Sequence, residues 1–391
     1  MPRSLWILAL GNFAVGTSAL VIAGLLGLLS ADLDVPLGSA GTVITAYALT
    51  YALSAVLLGS VTVHVPRKTL LLVGLGLFTL GNLAAALAPS FGLLLLARGL
   101  SAVGASLFTP VASGVAAALV TPDLRGRALA LVFVGIPVAT VLGMPLGTWI
   151  GGTFGWRVAF WLVVALSMLA FAGIAALVRP VAVTPPTTPW FALVRRPALL
   201  RTLLVMGLLY LGQFTVYPYL VTALRGLTGL DAGGITLILL LFGAAGLIGN
   251  ALGGRLTDFW SSPGTLRLGL ALAAGAMLVL PLVLGSEWGV GAAVLVWGVG
   301  ALMVNPPQQS RIVELAPDAS GVALALNASA LYVGQALGAP LGGAFAGAHL
   351  AQLGYLGGGV VLLALLLAAW PVTPLRPRDG EPHLRISAGA R

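Results

Sequence analysis

At 391 residues, with 59% hydrophobic and only 7% charged residues and a mean hydropathy of +1.08, the chain lacks the charged surface that keeps a globular protein in water. A net charge of +9 would suit a nucleic-acid binder among soluble proteins, but here the basic residues cluster between apolar segments, so nucleic acid is not expected as a partner. Cysteine is absent, which excludes disulfide scaffolding and thiolate metal sites.

A membrane-spanning helix needs about 20 apolar residues. Twelve stretches qualify in chain order: 5–29, 39–63, 69–88, 92–120, 127–152, 157–178, 198–223, 233–257, 265–284, 288–315, 320–346 and 350–371. The first is too long for the core of a cleaved signal peptide and further spans follow at once, so it reads as a retained helix. Residues 179–197 carry Pro180, Pro185, Pro186, Pro189 and Pro197 and separate six spans from six; they read as an extended linker. The predicted organisation is an all-α membrane protein: a six-helix half over 1–178, a linker over 179–197, a second six-helix half over 198–371 and a polar, loosely ordered tail over 372–391.

The two halves are related in sequence. At an offset of 195 residues, Pro122, Asp123, Gly126 and Ala128 fall on Pro317, Asp318, Gly321 and Ala323. At the same offset Gly143, Pro145 and Gly147 fall on Gly338, Pro340 and Gly342, and Gly59 on Gly254. An ungapped repeat of this kind predicts two pseudo-symmetric halves with a binding site between them, near the bilayer midplane. The positive-inside rule orients both termini to the cytoplasm: all Lys and Arg except Arg98, Arg157 and Arg225 then fall on or near that side, while Asp32, Asp34, Asp231 and Glu287 face outward. An inner membrane is the expected location, and a monomer the expected state.

Candidate functional residues follow the chain. The first span offers Asn12, Thr17 and Ser18, and the second offers Thr45, Tyr47, Thr50 and Tyr51. Arg98 lies about 10 Å into the fourth span. An Arg at a span centre costs about 3 kcal/mol to insert, so it is expected to face a cavity or a partner. Its repeat counterpart is Ala293, so it is not part of the shared scaffold. Asp32 reads as a solvated carboxylate or as a partner for Arg98 across the cavity. In the seventh span Tyr210, Phe214 and Tyr217 fall on one helical face beside Gln213, which suits a flat organic substrate or simple packing. Asn305-Pro306-Pro307-Gln308-Gln309 is expected to break the tenth span, and broken spans point to binding sites in transporters. In the eleventh span Asn327 and Gln335 extend the neutral polar set.

Several of these segments resemble the major facilitator superfamily, and within it the twelve-helix drug:proton antiporter branch that includes arabinose-efflux-like permeases. Arg98-Gly-Leu-Ser-Ala-Val-Gly104 resembles a fourth-helix Arg motif, Gly143-Met-Pro-Leu-Gly147 a fifth-helix antiporter motif and Gly254-Arg-Leu-Thr-Asp258 a loop motif after the eighth helix. The resemblance implies alternating access driven by a proton gradient with no other cofactor. It also implies gating contacts at Gly59, Arg67, Asp123, Arg125, Arg127, Gly254 and Asp258. The chain departs from the pattern at Val63, where an acidic residue is implied, and at Ala19, where relatives often place a carboxylate.

All ten Asp and Glu residues lie at span ends or in loops, which is unusual for a proton-driven carrier. The resulting expectation is an exporter of a small, largely apolar or cationic organic compound. A passive facilitator, a sugar or nucleobase exporter, and a membrane-embedded sensor without flux are the alternatives. An enzyme is not expected, because no nucleophile with a base, metal cluster or phosphate-binding glycine loop stands out, and no bound metal is expected either.

Overall fold

Helices are what a chain must form where lipid offers its backbone no hydrogen bonds, and a computed structural model shows helices throughout and no strand among the described residues, which are 1–62, 64–121, 124–180 and 190–370. The first half comprises α1 (Arg3–Asp32), α2 (Thr42–Val61), α3 (Arg67–Ala86), α4 (Phe91–Ala118), the broken span α5 (125–154) and α6 (Trp156–Leu177). The second comprises α7 (197–227, interrupted by a 3₁₀ turn at Tyr217–Tyr219), α8 (Ala232–Phe259), α9 (Ser262–Val283), α10 (287–315), α11 (Ser320–His349) and α12 (Leu353–Ala369). Eleven helices of the described residues are long and apolar enough to cross a membrane, and the bent pair within α5 makes a twelfth span. The expected linker contains a short helix, Trp190–Val194, and its residues 181–189 lie outside the described residues, as does the tail 371–391.

Side-chain caps start several spans. Ser90, Asp231, Ser261 and Ser286 accept from the backbone N–H three residues on, satisfying donors that a helix end leaves open.

Proline decides where spans bend. In α5 the helix runs Arg125–Phe133 and Gly135–Val138, passes through a π-turn at Ala139–Gly143 and resumes as Met144–Phe154, with a bend of 43°. Pro137 and Pro145 cannot donate to the carbonyls four residues back, so the ladder shifts register between them and the span is broken. In α10 the outcome is milder than expected. The helix is interrupted at Val304 alone and resumes over Asn305–Leu315, with the Gln308 N–H bonded to the Val304 carbonyl at 3.1 Å. Pro306 and Pro307 fall in the first turn of the resumed helix, where a missing N–H costs little.

The first half is held together by close helix contacts. A Cβ on Gly104 would lie 2.3 Å from the Phe78 nitrogen, and one on Gly81 2.3 Å from the Ser101 nitrogen, so α3 and α4 approach backbone to backbone. That approach sets Asn82 beside the Arg98 turn of α4.

The halves meet along α2 and α11, between α5 and α8, and between α1 and the Tyr217–Leu227 stretch of α7. The α5 contact uses its π-turn and its Met144–Phe154 stretch; the Arg125–Phe133 stretch packs on α1 and α4 of its own half. The seam is therefore closed at the rim bearing Asp32, Asp231 and Glu287, hereafter the acidic rim. At the opposite, basic rim Arg3, Arg67, Arg125 and Arg196 stand at helix starts, and Val56 of α2 packs against the second-half cluster that includes Leu203 and Leu326.

Candidate functional site

Arg98 projects from α4 into the interior of the first half and is 1% exposed. Its Nη1 donates to Ser18 Oγ of α1 at 2.8 Å. Ser18 in turn donates to Asn82 Oδ1 of α3 at 2.7 Å, and Asn82 Nδ2 donates to the Phe78 carbonyl at 2.8 Å. The chain of donors runs one way, so Ser18 presents a lone pair to the guanidinium and cannot turn away without breaking Asn82's bond. The guanidinium carbon lies 4.3 Å from the Tyr47 ring centroid and 5.9 Å from that of Phe160. Arg98 Nε is buried with no hydrogen-bond partner.

Tyr47 links this interior to the seam. Its ring centroid is 6.4 Å from Tyr51, one turn along α2, and 6.2 Å from Tyr332 of α11. Tyr51 and Tyr332 stack across the seam with centroids 3.8 Å apart. A second cross-seam contact has a backbone origin: Pro340 has no N–H for the Ala336 carbonyl, and that carbonyl accepts from Thr45 Oγ1 of the other half at 3.1 Å.

Nearer the acidic rim the halves touch almost without side chains. A Cβ on Gly38 would lie 2.6 Å from the Gly343 carbonyl oxygen, and one on Gly41 2.2 Å from Tyr219 Oη. Tyr219 is fully buried and donates to the Ala339 carbonyl at 2.6 Å.

The remaining candidates divide between packing and the rims. Asn12 Nδ2 donates to the Val132 carbonyl at 3.0 Å and ties α1 to α5, while its Oδ1 has no partner. Thr17 is buried against Gly143, with its hydroxyl unpartnered. Tyr210, Phe214 and Tyr217 form a ladder with centroids 6.3 and 5.9 Å apart, which continues from Tyr217 into Phe242 and Trp297 of the second-half core. Tyr217 is thus interior. Gln213 and Gln335 are buried, and Asn305 is half-buried. Gln308 donates to the Thr202 carbonyl at 2.7 Å and to Asn327 Oδ1 at 3.0 Å, binding α7, α10 and α11 within one half.

At the basic rim Arg125, Arg127, Arg255 and Asp258 are exposed, and Asp258 has no ion-pair partner among the described residues. Gly59 lies near the end of α2, Arg67 opens α3, and a Cβ on Gly254 would meet nothing within 4 Å. Asp123 lies outside the described residues.

Asp32 does not reach Arg98. Its Oδ2 accepts from Arg157 Nη1 at 2.6 Å and from Trp156 Nε1 at 3.0 Å, and Arg157 also donates to the Ala88 carbonyl. Both partners begin α6 at the acidic rim, the same end at which α1 terminates, so proximity decides the pairing. The residues that sequence reasoning passed over are Asn82 and Tyr332. Asn82 was detectable as a lone amide in an apolar span, whereas Tyr332 gave no signal apart from its neighbours.

Two helical halves thus meet along a seam, with one buried cation beside it. The description Major Facilitator Superfamily matches residues 8–339, and the chain belongs to that family. It is 33% identical over 369 residues to the inner membrane transport protein YdhP of Escherichia coli (strain K12), covering 93% of this chain and 95% of that protein. It is 37% identical over 376 residues to the uncharacterized MFS-type transporter YtbD of Bacillus subtilis (strain 168), covering 94% of both. The fold is similar to that of the peptide transporter POT in complex with alafosfalin, with a TM-score of 0.77, 94% of each chain covered and 15% identity, a likeness of fold alone. The chain is accordingly a multi-pass membrane transporter for a small molecule, and not an enzyme.

Proposed function

We propose that the chain exports a small organic compound with an aromatic or otherwise apolar body across the bacterial inner membrane by alternating access. The observation that carries this reading is the Tyr51–Tyr332 stack, 3.8 Å between centroids, which joins the halves at the depth where Arg98 and Tyr47 lie behind it. When the halves part, both ring faces are freed, and a flat apolar ligand can take the place of either partner. With the orientation set by the positive-inside rule, the closed acidic rim faces outward and the basic rim faces the cytoplasm, the side from which a substrate for export enters.

A permanently cationic substrate fits poorly beside Arg98, because no acidic side chain shares that interior among the described residues. The same observation favours a second reading on energetics. The groups around Arg98 are neutral, so a carrier that follows its substrate's gradient competes with one that exchanges the substrate for protons.

The test is accumulation of a fluorescent aromatic compound in everted membrane vesicles, with and without a protonophore. Uptake above that of vesicles lacking the chain, reduced at least severalfold by Tyr332→Ala, is the expected result. Protonophore-sensitive uptake selects exchange, and insensitive uptake selects facilitated diffusion. Uptake no greater than in control vesicles across a broad aromatic panel would sink the export reading.

A further inference from the structure

We infer that Arg98 is an anion-recognising residue of the seam site, so that the substrate carries a single carboxylate-like negative charge on its apolar body. The inference rests on the transport reading and adds the charge class of the substrate.

The argument begins with an ion that has no counter-ion. Arg98 is 1% exposed, and its contacts are a hydroxyl, two aromatic rings and nothing acidic. Among the described residues every Asp and Glu stands at a helix end or just beyond one: Asp32 ends α1 and Asp34 follows it, Asp231 caps α8, Glu287 opens α10, Asp258 and Glu314 lie in the last turns of their helices, and Asp318 is in the short 3₁₀ turn after α10. The single ion pair among the described residues, Asp32 with Arg157, is at the acidic rim. A buried charge without a partner is strongly unfavourable, and arginine cannot escape by losing its proton. The compensation must come from outside the fold.

The guanidinium is also set up to receive it. Nη1 is held by Ser18, whose own proton is committed to Asn82, so the plane of the fork is fixed. Nε is buried and unpartnered, and Nη2 makes no hydrogen bond among the described residues. Those two nitrogens form one edge of the fork, the geometry that binds a carboxylate through two parallel hydrogen bonds.

Access runs through Tyr47. Its face covers the guanidinium at 4.3 Å, and its hydroxyl is buried without a partner, so no hydrogen bond anchors the ring where it is. On the other side it borders the Tyr51–Tyr332 stack at 6.4 and 6.2 Å. When the stack opens, rotation of Tyr47 exposes Arg98 to the space the ligand enters. The ring thus serves as a weak, replaceable counter-partner through its π face, exchanged for the substrate's anion. A neutral ligand leaves the charge uncompensated, and a cation adds repulsion.

Three probes sharing one phenyl body separate the possibilities: benzoate, benzyl alcohol and benzyltrimethylammonium, titrated against the purified full-length chain at neutral pH. Wild type is expected to bind benzoate at least tenfold more tightly than benzyl alcohol, and the ammonium compound least. Arg98→Gln retains a donor for Ser18 but no charge, and should lose the tenfold preference while still binding benzyl alcohol. Arg98→Lys keeps the charge without the fork and should retain part of the preference; it also serves if the Gln variant does not fold. Equal binding of benzoate and benzyl alcohol, or a benzoate preference that survives in Arg98→Gln, overturns the anion assignment and leaves the transport reading standing. Binding of none of the three probes by wild type overturns both.

Discussion

The same place in the two halves is filled in opposite ways. At the 195-residue offset Tyr47 corresponds to Phe242, Arg98 to Ala293, Ser18 to Gln213 and Asn82 to Met277. In the first half the aromatic ring at this place is covered by a guanidinium at 4.3 Å, steered by a hydroxyl and an amide. In the second half the equivalent ring, Phe242, is covered by the Trp297 indole at 5.2 Å and by Tyr217 at 5.1 Å, with rings in place of a guanidinium. Duplication supplied the scaffold, and divergence at these few positions separated a packed half from one that holds a charge. The packed half can act as a rigid partner against which the charged half works, because cores of interlocked aromatics yield little to deformation.

That contrast can be broken by experiment, beginning with the largest effect. Trp297→Ala should cost about 3–5 kcal/mol of stability by opening a cavity in the second-half core. Thermal unfolding in detergent reads this, and the charge preference among the benzyl probes should be unchanged; a change in that preference would mean the second half also selects ligand. Arg98→Met should do the reverse, lowering transport about a hundredfold, the equivalent of about 3 kcal/mol lost with a buried charge partner. Its melting temperature should hold or rise, since an apolar side chain relieves an uncompensated ion. Normal transport with a lower melting temperature would make Arg98 structural.

Two smaller effects sharpen the picture at the acidic rim. Gly41→Val places carbon where Tyr219 Oη now lies, within 2.2 Å of an added Cβ, so the closed rim should open in a larger share of molecules. Because the native chain has no Cys, a single Cys at Gln335 can report this, and its labelling rate by a polar maleimide should rise about tenfold, a shift of about 1.4 kcal/mol. An unchanged rate would show that the glycine contact does not hold the rim shut. Asp32→Asn should have the least effect, under about 1 kcal/mol, because the side chains of Asp32 and Arg157 are 46% and 38% exposed and water competes for both. Transport near wild type in this variant would separate the rim Arg, which has a carboxylate, from the interior Arg, which has none.

Much of this organisation was legible beforehand. Hydropathy marked the spans, with observed ends mostly within a few residues of the predicted ones, because the cost of placing polar groups in lipid is paid residue by residue along the chain. Arg98 stood out for the same reason, as a charge in an apolar run without a counterpart in the repeat. The aromatic ladder of α7 was equally visible, yet its face turned into the second-half core, where Phe242 and Trp297 complete it. Gln308 and Asn12 read as candidate ligand groups, and in the structure their amide N–H groups also tie helices together. Nothing in the residue types separates those outcomes, since an amide in a span serves a neighbouring helix or a ligand with the same donors.

By itself the sequence determined the membrane class, the number of apolar spans, the repeat and the presence of a single charge inside the first half, since each is a property of composition or spacing along one dimension. Only the tertiary structure decided that Ser18 rather than Thr17 meets Arg98, that Tyr47 covers it, that Tyr332 arrives from the other half and that Asp32 belongs to Arg157. Adjacent residues on a helix point about 100° apart, and which of them faces a partner is set by how closely α3 and α4 approach and by the register of α2 on α11. Those quantities depend on glycines and prolines acting between helices, such as Gly81 against Ser101 and the Pro340-freed carbonyl that Thr45 fills, and no single span contains them.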